Sequence, residues 1–202
     1  GSDSSDIYEI IAVTEGVVFP ANSAAAGTEL WISRGTEATT AVLADINPGS
    51  DSSGPTELVF QPSSGKVFFS AYEGTNGAEL WSCDLAGNAA LIKDLTPGSD
   101  SSSIRNLTLL NGSVLMMSVD ADLGGSEPGY EPFVSTGVVG NLSLLTDLNP
   151  GSGSSNPANF TFFNGAYYFT ADNDAFGTEI FKTDLTSAGT TVLQDIVSGG
   201  SS

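Results

Sequence analysis

Apolar residues in this chain come in short blocks that alternate with polar ones, and the blocks end at Gly, Pro, Asn or Ser. Period-two alternation bounded by such residues predicts half-buried β-strands. In one stretch, Thr56 to Gln61 and Lys66 to Ala71 flank the turn Pro62-Ser63-Ser64-Gly65, followed by Ala78 to Cys83 and Ala89 to Asp94. In another, Asn159 to Phe163 and Ala166 to Ala171 flank Asn164-Gly165, followed by Thr178 to Thr183 and Thr190 to Asp195. Asn-Gly between apolar runs is a strong hairpin signal, because both turn residues must adopt positive φ. No stretch holds a 3.6-residue apolar period over a helix's length, so almost no helix is expected.

These four-strand blocks repeat. Thr28-Glu29-Leu30-Trp31 returns as Ala78-Glu79-Leu80-Trp81, Tyr130-Glu131-Pro132-Phe133 and Thr178-Glu179-Ile180-Phe181. A second marker follows in phase: Asp45-Ile46-Asn47-Pro48-Gly49, Asp94-Leu95-Thr96-Pro97-Gly98, Asp147-Leu148-Asn149-Pro150-Gly151 and the proline-free Asp195-Ile196-Val197-Ser198-Gly199. Four-stranded units of about 50 residues are the signature of propeller blades, which bury their faces only by stacking on neighbours. The expected fold is all-β, a small propeller of four four-stranded blades at approximately 1–48, 49–97, 98–150 and 151–202, forming a single domain over 1–202. A ring closed by side-chain packing is the leading layout. A partial propeller that closes by dimerising and a stacked array from a longer protein are the alternatives, so monomer and dimer both stay open.

Composition narrows the chemistry. The 202 residues hold five Lys and Arg against 24 Asp and Glu, for a formal charge of −19, with no histidine and one cysteine. That field repels phosphate backbones, so nucleic acid is excluded as a partner and a cation is favoured. Without histidine there is no Ser-His-Asp or Cys-His pair and no imidazole metal site. Cys83 alone makes neither an intrachain disulfide nor a thiolate zinc cluster, and reads as a small buried residue. The 40% hydrophobic content argues against disorder, and no apolar run reaches the roughly 18–20 residues of a membrane-spanning helix, so membrane insertion is not expected.

The markers resemble a repeat class of large secreted or surface-exposed bacterial proteins, with a pattern close to E-L-W-x-x-D-G-T-x-x-G-T-x-L-V-x-D-I-x-P-G-x-x-S-S. Glu29-Leu30-Trp31, Gly35-Thr36 and Asp45-Ile46-Asn47-Pro48-Gly49 match in the first unit. Glu79-Leu80-Trp81, Asp84, Leu91, Lys93-Asp94-Leu95 and Pro97-Gly98 match in the second, while the third departs most, with Pro132-Phe133 replacing Leu-Trp. The resemblance implies a propeller-like β-fold and an extracellular or cell-surface setting. It brings no catalytic residue.

Candidate sites divide by whether they recur. Glu29, Glu79, Glu131 and Glu179, at the start of the third strand, read as structural carboxylates that tie up backbone N–H groups of a neighbouring turn or blade. Asp45, Asp94, Asp147 and Asp195 read as turn caps. Trp31, Trp81, Phe133 and Phe181 share one strand face and read as blade-to-blade core. The remaining acids suit calcium as a candidate cofactor, since Ca²⁺ takes carboxylate, hydroxyl and carbonyl oxygens from Gly-rich loops. The metal-site candidates are Asp172 and Asp174 with Glu179, and Asp120 and Asp122 with Glu127. Tyr72, Tyr130 and Tyr167 are candidate sugar-contacting residues. No catalytic residue is assigned. The composition and repeat lead to the expectation of a non-enzymatic extracellular module for recognition or adhesion, binding a protein or glycan at a cell surface. A lectin-like propeller is one alternative and a polysaccharide hydrolase or lyase on the same scaffold is another.

Overall fold

The computed structural model describes residues 4–123 and 128–197. It contains two compact units, Gly1–Ser101 and Ser102–Ser202, each built from two four-stranded antiparallel sheets. In the first unit, blade 1 consists of β1 (Ile11–Val13), β2 (Gly16–Ser23), β3 (Gly27–Ser33) and β4 (Thr40–Ala44). Blade 2 consists of β5 (Thr56–Gln61), β6 (Lys66–Glu73), β7 (Gly77–Asp84) and β8 (Ala89–Lys93). In the second unit, blade 3 consists of β9 (Ser103–Leu110), β10 (Val114–Asp120), β11 (Glu131–Ser135) and β12 (Leu142–Leu144). Blade 4 consists of β13 (Ala158–Phe163), β14 (Ala166–Asn173), β15 (Gly177–Thr183) and β16 (Thr191–Gln194). Every sheet is an up-and-down meander in chain order. The described residues include no α-helix, only one 3-10 turn at Glu37–Thr39.

Repetition extends to register. Phe19 lies opposite Trp31, Phe69 opposite Trp81, Met117 opposite Phe133 and Phe169 opposite Phe181, the same central pair in each blade. The first hairpins of blades 2, 3 and 4 carry a bulge. Within those bulges Glu57, Asn106 and Asn159 adopt φ of 60°, 56° and 57°. Asparagine tolerates that left-handed conformation; glutamate does so at a cost.

Alternation sends successive side chains to opposite faces, and in each unit the core forms where one blade's face meets the other's. In the first unit Val18, Leu30, Ile32, Ala44 and Ile46 of blade 1 pack with Leu58, Val67, Phe69, Ala71 and Cys83 of blade 2. In the second unit Leu110, Met116 and Leu145 of blade 3 pack with Phe160, Tyr167, Phe169, Ala171 and Phe181 of blade 4. Phe169 and Phe181 stack with ring centroids 5.7 Å apart.

Candidate functional site

The recurring glutamates are the most buried charged groups of the blades: Glu29, Glu79 and Glu131 are 0% exposed and Glu179 is 6% exposed. Each begins or nearly begins the third strand, so its side chain points under the linker that leaves the fourth. Glu29 accepts hydrogen bonds from the Ile46 and Ser53 amides, both at 2.8 Å, and from the Ser53 hydroxyl at 2.6 Å. Glu131 repeats the set with the Leu148 amide at 2.9 Å, the Ser155 amide at 2.9 Å and the Ser155 hydroxyl at 2.7 Å. Glu79 accepts from the Leu95 amide at 3.3 Å and Glu179 from the Ile196 amide at 3.1 Å. Burial pushes the Glu29 and Glu131 carboxyls above their ordinary pKa, and the donated bonds pull part of the way back. These carboxylates organise the linker and leave no open face for substrate.

Around Glu29 and Glu131 the serines that follow the Pro-Gly turn close a clip between consecutive blades of one unit. The Ser53 carbonyl accepts the Tyr72 amide at 2.8 Å, and the Ser155 carbonyl accepts the Asp172 amide at 2.7 Å. One serine therefore holds the glutamate of its own blade and the second strand of the next. The preceding serine receives the third strand: Ser52 Oγ accepts the Thr28 amide at 2.9 Å, Ser101 Oγ the Ala78 amide at 2.9 Å and Ser154 Oγ the Tyr130 amide at 3.0 Å. Glycine precedes each of these amides because the turn backbone lies against it. A Cβ on Gly27 would sit 2.7 Å from the Asp51 carbonyl oxygen, and one on Gly77 would sit 2.0 Å from that of Asp100, both at left-handed φ. Ser52-Ser53, Ser101-Ser102 and Ser154-Ser155 follow the Pro-Gly markers in phase, and that recurrence is their signal in the sequence.

Three of the four recurring aspartates do not cap the turn through both oxygens. Oδ1 of Asp94, Asp147 and Asp195 is buried and meets no donor among the described residues. Asparagine does the capping instead: Asn47 and Asn149 donate to the Ser52 and Ser154 carbonyls at 3.4 and 3.2 Å.

The metal-site candidates are dispersed by the same framework. Asp172 accepts from Thr178 Oγ1 and from Asn156 Nδ2, the latter at 3.4 Å. Asp174 is exposed, and its amide donates to Asn149 Oδ1 at 2.8 Å. Glu179 is instead held under the linker by the Ile196 amide. Asp120 ends β10 opposite Ser103, Asp122 is exposed, and Glu127 lies outside the described residues. Among the described residues, no group of three or more His, Cys, Asp or Glu side chains is arranged to hold a metal ion.

Of the candidate tyrosines, Tyr72 is 40% exposed at the end of β6. Tyr130 is half-buried beneath Arg105, whose guanidinium carbon lies 4.0 Å from the ring centroid. Tyr167 requires correction: it is 9% exposed and packs on Phe162 at 5.0 Å inside the second unit's core, so no sugar reaches it. Its repeat equivalents are the fully buried Val67 and Leu115. Cys83 is fully buried, and desolvation pushes its thiol up to about 12, so thiolate chemistry at neutral pH is closed to it.

One position departs from the repeat's uniformity. Asn22, Tyr72, Asp120 and Asp172 occupy the same place near the end of the second strand, beside the start of the third. A constant frame with a changing side chain at a strand end is the arrangement by which folds host binding chemistry.

No protein-family model and no curated protein matches the chain. Solved structures do. A puromycin hydrolase S511A mutant complexed with PGG aligns over 96% of this chain, at a TM-score of 0.61 and 14% identity. The fold is that of a propeller. A putative TolB from Agrobacterium tumefaciens aligns over 93% of this chain and 61% of its own, at a TM-score of 0.56 and 9% identity. Oligopeptidase B from Leishmania major aligns over 91% of this chain, at a TM-score of 0.53 and 11% identity. The chain spans 30% of the puromycin hydrolase and 26% of the oligopeptidase. These likenesses show the propeller fold and not the E-L-W repeat class. They also correct the expectation of a non-enzymatic recognition or adhesion module, because this blade arrangement occurs in chains that are hydrolases.

Proposed function

We propose that this chain is the propeller portion of a hydrolytic protein, presenting substrate at the blade ends of its second unit, marked by Asp120 and Asp172. In this reading the nucleophile and base come from polypeptide outside residues 1–202. The observation that carries it is the likeness to a puromycin hydrolase across nearly this whole chain, which accounts for only 30% of that enzyme. The residue inventory supports the division of labour: histidine is absent and the one thiol is buried and protonated. The net charge of −19 favours a substrate carrying positive charge, since a strong field of one sign concentrates counter-ions at the surface.

The test compares residues 1–202 with the natural polypeptide that contains them, on aminoacyl and dipeptidyl amides and esters. Turnover is expected from the whole polypeptide only. The isolated propeller is expected to bind the cationic amides with an affinity that falls as salt rises. A whole polypeptide inert towards every amide and ester, or an isolated propeller without salt-sensitive binding, refutes the proposal.

A further inference from the structure

The second unit carries two cationic side chains, Arg105 and Lys182. Lys182 lies mid-strand opposite Tyr168, whereas Arg105 stands exposed near the start of β9. Arg105 is stacked on Tyr130, its guanidinium carbon 4.0 Å from the ring centroid. Among the described residues that guanidinium has no carboxylate partner, although acids are plentiful in this chain and Arg34 pairs with Glu15 at 3.3 Å. An aromatic ring engages only the face of a guanidinium. The in-plane N–H groups of Arg105 stay open, in the fork that matches a carboxylate.

The strand register sets an acid beside this cation. β9 and β10 pair Arg105 with Ser118 and Ser103 with Asp120, so Arg105 and Asp120 are diagonal neighbours on one face of blade 3, a spacing of about 7–8 Å. Glu131 lies opposite Val119, which puts Tyr130 next to Asp120 on the other side of β10. The Asp120 carboxylate receives no hydrogen bond among the described residues. Blade 4 of the same unit meets this end: the Asn156 amide donates to the Tyr130 carbonyl at 3.0 Å, and Asn156 Nδ2 donates to Asp172 at 3.4 Å. A cation with a free planar edge and a neighbouring unpaired carboxylate thus share one blade end.

We propose that Arg105, on its Tyr130 platform, binds the terminal carboxylate of a short zwitterionic peptide whose ammonium is met by Asp120. The ammonium half rests on the reading of these blade ends as a substrate site; the carboxylate half needs no catalysis. The charge of −19 draws cations and repels anions over the whole surface. It therefore favours a singly positive dipeptide amide over the neutral dipeptide, and a preference for the dipeptide can arise only from a local cation. The same field opposes doubly charged phosphate more strongly than a carboxylate, which makes phosphate the poorer occupant.

Residues 1–202 are titrated with alanylalanine and with alanylalanine amide at about 0.15 M salt, and binding is read by NMR, including the Arg105 Nε–H resonance. The dipeptide is expected to bind about tenfold more tightly than its amide, the worth of a hydrogen-bonded charge pair. Arg105→Gln is expected to abolish that ratio, and Arg105→Lys to restore part of it, because lysine keeps the charge but not the fork. Tyr130→Leu is expected to reduce the ratio and Tyr130→Phe to preserve it, since phenylalanine keeps the ring. Asp120→Asn is expected to weaken both ligands alike and leave the ratio intact. A wild type that binds the two alike or binds neither, or an Arg105→Gln variant that keeps the ratio, overturns the proposal. Asp120→Asn without effect on either ligand overturns its ammonium half, and inorganic phosphate displacing the dipeptide at lower concentration than acetate does overturns it in favour of a phosphate site. Turnover does not enter. A whole polypeptide inert towards amides and esters, with the ratio intact, ends the hydrolase reading and keeps the carboxylate site; turnover with a ratio of about one does the reverse.

Discussion

Replacing Glu29 with alanine removes a carboxylate from a site of zero exposure and strands three donors: the amides of Ile46 and Ser53 and the Ser53 hydroxyl. Hydrogen bonds to a charged acceptor are each worth roughly 1.5–3 kcal/mol, but the three share one group and the variant no longer buries a charge. A net destabilisation of about 3–5 kcal/mol follows. At roughly 2–4 °C per kcal/mol for a chain of this size, the melting temperature falls by about 6–20 °C. Glu179→Ala is the internal comparison. Glu179 receives the Ile196 amide at 3.1 Å, and Ile196 is 68% exposed, so the released amide turns to water. The expected loss there is about 1 kcal/mol. Calorimetric and circular-dichroism melts of both variants test the pair. A Glu29→Ala loss below about 1 kcal/mol, or equal losses in the two variants, refutes the view that the linker clip depends on a buried charged acceptor.

Acidity provides a second test. Burial raises Glu9, Glu29 and Glu131 in the folded state, so their contribution is complete below the ordinary carboxylate range and is lost as pH rises through the raised values. Asp84 and Asp184, whose pKa values are lowered chiefly by hydrogen bonds from Asn88 and Thr186, contribute in the opposite sense and lose their effect on strong acidification. Melting temperature is therefore expected to rise from about pH 7 to about pH 5 and to fall below about pH 4, with a flatter upper limb in Glu29→Gln. Gly77→Ala, which places a Cβ 2.0 Å from the Asp100 carbonyl at a φ of +68°, is expected to cost about 2–4 kcal/mol by urea unfolding. Glu57→Asn, at a φ of +60° and beside Glu9, is expected to gain about 0.5–1 kcal/mol in the same assay. For calcium, Asp172 is already engaged by Thr178 and Asn156, so millimolar Ca²⁺ followed by EDTA is expected to leave the melt unchanged; a calcium-dependent rise would restore the loop as a metal site.

Period-two alternation and turn chemistry are local properties, and they made the strands legible to within a residue or two. Thr56–Gln61 was read as observed, while β6 and β7 run slightly longer because glycine and Glu73 extend the ladder into the turn. Contacts between repeats were less legible. Tyr167 looked like a surface aromatic when judged by type, yet its register with Val67 and Leu115 places it in the core. Asp172 and Glu179 looked like one acidic loop in sequence. Strand geometry separates them, because residues opposite Asp172 and Ala171 project to different faces and Glu179 lies opposite Ala171.

The acidic surplus thus divides into parts with different physical roles. The glutamates at the third strands are the anchors around which amides of the linkers are gathered, and their charge is consumed internally by those donors. Asp94, Asp147 and Asp195 at the fourth-strand exits each keep one buried oxygen that meets no donor among the described residues. Asp120 and Asp172 belong to neither group. They share a repeat position with Asn22 and Tyr72, so the framework does not require a carboxylate there. A position that the clip holds in place without requiring one side-chain type is where substitution changes ligand preference with least harm to folding. Exchanging Tyr72 and Asp172 by paired substitution is therefore expected to alter binding of cationic amides more than it alters the melting temperature. The opposite ranking would return this position to the scaffold.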